Sequence, residues 1–94
     1  MTKADIVSQV AKGNGIERAT VQRTIEGFME CVKDAMVRNQ NVYLRGFGSF
    51  IVKERAQKTA RNISKNTTII IPAHKVPAFK PAKTFVAKVK ENVN

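Results

Sequence analysis

The chain has 94 residues, 43% of them hydrophobic, and carries 17 Lys/Arg against 7 Asp/Glu, a formal net charge of +10. One domain is the most this length supports. The apolar fraction excludes a compositionally disordered chain, and the lack of any run of 18 apolar residues excludes a membrane-spanning helix. The charge is lopsided: residues 1–44 hold six basic and five acidic side chains, residues 45–94 eleven and two, and Glu54 is the one acid between Arg45 and Lys90. A folded basic surface of this kind points to a polyanion, most often a nucleic acid.

In chain order, Thr2 followed three residues later by Asp5 predicts a helix N-cap with a weak capping box. Ala4, Val7, Val10 and Ala11 then recur at helical spacing, and Lys12-Gly13-Asn14-Gly15 predicts the stop. A longer helix is predicted over Arg18 to about Arg38. Its apolar stripe is Val21, Ile25, Phe28, Met29, Val32, Ala35 and Met36, and Asn39-Gln40-Asn41 closes it. Cys31 flanks this stripe and reads as a buried structural thiol rather than a nucleophile, since nothing nearby would activate it. Phe28 reads as core by the same spacing.

The period then changes to two. Val42 to Arg45 predicts a short strand, Gly46-Phe47-Gly48 a tight turn, and Ser49 to Arg61 a long strand without Pro or Gly. Asn62 to Thr67 is turn-like, and Thr67 to Ile71 strongly favours a strand. Pro72 and Pro77 mark the returning strand as an edge or interrupted one. Pro81 fits the first turn of a last helix, Ala82 to about Asn92, with Phe85 and Val89 on its buried face. Beyond Lys53 the hairpin is charged and has no large side chains to bury. That predicts a mobile arm ordered by a ligand, the alternative being a third strand or a partner's edge that covers it.

Several stretches carry a resemblance: Gly46-Phe47-Gly48-Ser49-Phe50, Val52-Lys53-Glu54-Arg55-Ala56, Arg61-Asn62 and Lys75-Val76-Pro77-Ala78-Phe79-Lys80. The chain resembles, over essentially its whole length, the bacterial histone-like DNA-binding family of HU and integration host factor. The resemblance implies an α+β fold: two N-terminal helices, an antiparallel three-stranded sheet with an extended β-hairpin arm, and a short C-terminal helix, in an intertwined dimer. Residues 1–94 would be one domain, with 1–40 the helical dimerisation part, 41–81 the sheet and arm, and 82–94 the last helix. It implies a nucleoid-associated protein that bends and compacts duplex DNA through the minor groove with little sequence preference. The partner copy would be identical or a paralogue.

Carried over position by position, the arm contacts are Lys53, Arg55, Lys58, Arg61 and Asn62, with Ile63, Ser64, Lys65 and Asn66 at the tip. Body contacts fall on Gly46, Lys75, Lys80 and Lys83, with Lys3 a weaker candidate. The chain departs from the family at the tip, where Asn62-Ile63-Ser64-Lys65-Asn66 replaces the usual Asn-Pro-x-Thr-Gly and its wedging proline. Ile63 either takes over as the wedge, being apolar and bulky, or packs on its own hairpin while the tip lies in the groove.

Other readings are weaker on the residues themselves. Phe47, Phe50 and Phe79 fit core packing better than base stacking, because this small domain has few other large side chains. The first two helices superficially resemble a helix-turn-helix, but the second sets Arg18, Arg23, Lys33 and Arg38 against Glu26, Glu30 and Asp34 and is nearly neutral. The single histidine, His74, has no companions for a metal site, and no constellation suggests catalysis, a cofactor or a small-molecule substrate. A membrane-surface binder would place its charge on an amphipathic helix, not a hairpin. Sequence-specific binding, as in integration host factor, stays the alternative within the DNA-binding class. The opening residues lack a signal-peptide apolar stretch, which predicts a cytoplasmic location.

Overall fold

The computed structural model describes residues 1–62 and 67–92. The element order is α1 (Lys3–Asn14), α2 (Arg18–Val37), β1 (Val42–Leu44), β2 (Gly48–Arg55), β3 (Lys58–Asn62), β4 (Thr67–Ile71), β5 (His74–Pro81) and α3 (Lys83–Glu91). The three helices and antiparallel strands give the expected α+β class. Two compact units divide the chain, residues 1–35 and 36–94.

In the first unit, the Thr2 hydroxyl accepts from the Asp5 N–H while the Asp5 carboxylate accepts from the Thr2 N–H, a reciprocal capping box. The helix runs through Gly13 and stops at Gly15, whose φ of 61° is left-handed and whose N–H donates to the Ala11 carbonyl. The stripe on α2 is only partly covered. Val7, Val21 and Val32 are buried, but Phe28 keeps 44% of its surface exposed, so the core position expected for it is not reached within this unit. Cys31 is likewise exposed, which corrects the expectation of a buried thiol. A helix pair can cover one side of each helix, and the stripe on α2 is wider than that.

In the second unit, Asn39 takes a left-handed φ of 64° and donates its N–H to Met36, which ends α2. The strands form a three-stranded antiparallel sheet ordered β1-β2-β5 and a two-stranded ladder of β3 with β4. Strand β1 is short, and the Asn41 side-chain oxygen extends its pairing by accepting from the Val52 N–H at 2.9 Å. The turn after β1 closes with Phe47 N–H to the Leu44 carbonyl at 3.0 Å, and Gly46 supplies the φ of 82° that it needs.

The long strand expected over Ser49 to Arg61 is broken at Ala56-Gln57, facing the break at Pro72-Ala73 on the returning side. Pro72 has no N–H for a ladder, so pairing lapses there. Yet the register does not slip. Arg55 lies opposite His74 before the gap and Lys58 opposite Ile71 after it, so each strand skips two residues and the alternation of faces is preserved. Pro77 lies within β5, an edge strand where a missing N–H is tolerated. Pro81 ends β5 opposite Gly48 instead of opening α3, a correction to the sequence reading; the N-cap is Ala82, tied by its N–H to the Phe47 carbonyl at 2.9 Å.

Candidate nucleic-acid interface

Side chains directly opposite each other across antiparallel strands share a face. On β2 and β5 the pairs Val52–Pro77, Phe50–Phe79 and Gly48–Pro81 take one face. Phe47, Phe50, Phe79 and Phe85 gather there, with ring centroids 5.0 Å apart for Phe47–Phe79 and Phe50–Phe79, and Phe85 stacked on Phe47 at 5.9 Å. The phenylalanines are therefore packed on one another, but Phe47 and Phe79 still leave more than a third of their surface exposed, so the core position expected for them is reached only in part.

The opposite face carries Ser49–Lys80, Ile51–Ala78, Lys53–Val76 and Arg55–His74. Lys53, Arg55 and Lys80 are exposed on it, and this face of the two strands has no acid. Glu54 pairs with Lys75 on the aromatic side. The fold thus separates Lys75 from the other basic residues of the sheet, a distinction the sequence did not make.

At the end of this face lies a hollow formed by Arg45, Gly46, Ser49, Lys80 and the start of α3 at Ala82 and Lys83. Ala82 gives α3 no side-chain cap, and its first turn has no acid. The free N–H groups and helix dipole there favour an anion, and Lys83 is poorly placed for the helix itself unless an anion joins it. Gly46, Lys80 and Lys83 are thus brought together as candidates. Arg45 joins them although the sequence reading did not single it out; its signal was its place beside Gly46 in a turn.

Along the arm, Lys58 is exposed opposite Ile71 and Arg61 is exposed opposite Thr68. Asn62 pairs with Thr67 along the backbone. The side chain of Asn62, and Ile63, Ser64, Lys65 and Asn66 entirely, lie outside the described residues, and with them the question of the wedge. In the helical unit, Lys3 donates from Nζ to the Glu26 carboxylate at 2.7 Å, and that bond holds the Glu26 carboxyl below the ordinary carboxylate range. The charge of Lys3 is thus already partnered.

Among the described residues, no group of three or more His, Cys, Asp or Glu side chains converges as a metal site, and no helix is long and apolar enough to cross a membrane.

A family model described as bacterial DNA-binding protein matches residues 1–90. DNA-binding protein HU of Thermus thermophilus is 37% identical over 91 residues, covering 97% of this chain and 94% of that protein. Integration host factor subunit alpha of a Marinomonas species is 32% identical over 91 residues, covering 97% and 93%. Among solved structures, the Anabaena HU–DNA cocrystal structure superposes with a TM-score of 0.90 at 34% identity, covering 95% of this chain and 97% of that one.

Proposed function

Since the chain belongs to the bacterial DNA-binding protein family that includes HU and integration host factor, we propose that it is an architectural protein of the bacterial nucleoid, binding duplex DNA through the minor groove with little sequence preference and bending it. The observation that carries this reading is the acid-free face of Lys53, Arg55 and Lys80, continuous with the hollow of Arg45, Gly46 and Lys83 at the start of α3. Such a surface neutralises phosphates and releases counterions, which gives affinity without reading bases. Selectivity then comes from how readily a site deforms, so flexible or nicked duplexes are favoured. The arms follow the groove from the body outward, and Ile63 inserts at the tip to stabilise the bend.

Two copies act together. Ile6, Val10, Phe28, Met29, Phe47 and Phe79 all leave more than a third of their surface exposed in the single chain. So much apolar surface on a small domain supports an intertwined homodimer as the working form.

The test is binding to duplexes of unrelated sequence across a salt series. The expected result is near-equal affinity and a log–log slope of about −0.9 for each phosphate neutralised. A loss of about 1–3 kcal/mol for single base-pair changes within one preferred site would instead mark a sequence-specific factor. Ile63→Ala is expected to reduce bending, read by end-to-end energy transfer on a short duplex, more than affinity. Equal bending by both proteins would remove Ile63 as the wedge.

A further inference from the structure

His74 begins β5 at the root of the arm, directly opposite Arg55. That pairing sets it on the face of Lys53, Arg55 and Lys80, where it is exposed. Its Nδ1 lies 3.0 Å from the Pro72 carbonyl oxygen. A carbonyl oxygen only accepts, so Nδ1 carries the hydrogen, and in the neutral ring Nε2 is left with a lone pair. A lone pair repels a phosphate oxygen. A proton on Nε2 turns the same atom into a charged donor. Imidazole is the side chain whose charge changes between pH 5 and 8.

The charged groups around the ring are Arg55 and Glu54 from β2, Lys75 beside it on β5 and Lys58 from β3, which together line the hollows on its two sides. Three cations and one carboxylate make this a net positive place. A proton on His74 therefore gains most when a phosphate is present to balance it.

We propose that His74 is a further DNA contact, one that binds a backbone phosphate through Nε2 only when protonated and so makes the grip at the arm root tighten as the pH falls. This rests on the DNA-binding reading above. By linkage, a proton taken up on binding strengthens the complex at low pH and strengthens it less as the pH rises.

The experiment compares the full chain with His74→Gln and His74→Arg, measuring affinity for a fixed random-sequence duplex by fluorescence anisotropy between pH 5.5 and 8.5 at constant salt. The wild type is expected to gain about tenfold more affinity toward low pH than His74→Gln, the effect of a coupling of one pH unit. His74→Arg is expected to bind tightly with the shallow pH profile of the Gln variant, since its charge is fixed. Any pH dependence from other groups is common to all three proteins and cancels. Superimposable pH profiles for wild type and His74→Gln, with both binding DNA, would overturn the assignment and leave the DNA-binding reading intact. Failure of all three to bind at any pH would overturn that reading and this proposal with it.

Discussion

Of the five glycines, Gly48 is the one where an added side chain would collide with its surroundings. A Cβ there would lie 2.6 Å from the Lys80 carbonyl oxygen and 2.6 Å from the Phe79 ring. The backbone oxygen cannot yield without opening the β2–β5 ladder. Gly48→Ala is expected to destabilise the fold by about 1–3 kcal/mol, read as a lower urea midpoint at unchanged slope. The carboxylates of the helical unit set a different dependence. Asp5 is held below its ordinary pKa by hydrogen bonds from the Thr2 backbone and hydroxyl, and Glu26 by Lys3. A depressed carboxyl stabilises the fold fully above its unfolded pKa, and that contribution is lost as pH falls toward the folded value. The unfolding midpoint is therefore expected to drop below about pH 4, and Asp5→Asn to show a shallower drop. The Thr2–Asp5 cap was legible in the sequence because it is local, both partners lying within one turn. The Lys3–Glu26 pair was not, because it links two helices whose relative placement no spacing encodes.

At the scale of elements, the sheet sorts charge by face. Lys53→Ala and Arg55→Ala are expected to flatten the salt dependence of DNA binding by close to one phosphate each. Lys75→Ala is expected to change it less, since Lys75 faces the other way opposite Glu54. Equal effects from all three would mean that DNA contacts both faces of the strands. Period-two alternation let the strands be read, together with the turn at Gly46. The paired breaks at Ala56-Gln57 and Pro72-Ala73 were half legible: Pro72 announced one side, but Ala56-Gln57 has no breaker of its own and pairing lapses there only because its partner's does. The two-stranded ladder of β3 with β4 answers to the predicted arm. No third strand covers it among the described residues.

For the whole molecule, Val7, Val21 and Val32 are the buried hydrophobic residues among those described, a small interior for a domain of this size and the reason a homodimer is proposed. The unfolding midpoint is expected to rise with protein concentration, and sedimentation equilibrium to report twice the chain mass. A concentration-independent midpoint with a monomer mass would refute the homodimer. Phe28 and Cys31 were misplaced from the sequence because periodicity tells which side of a helix is apolar, not how much of that side the chain itself covers. The break that keeps its register has a further consequence for the reach of the protein. Because facing strands skip two residues together, the arm can be lengthened or shortened only in matched steps. Adding two residues to each strand would extend it by about 7 Å and leave the outward order of side chains unchanged. One residue added to a single strand would turn every charge beyond it to the wrong side. Through evolution or design, the length of the arm is thus adjustable in discrete increments, while its polarity is protected from small errors of length only when both strands err alike.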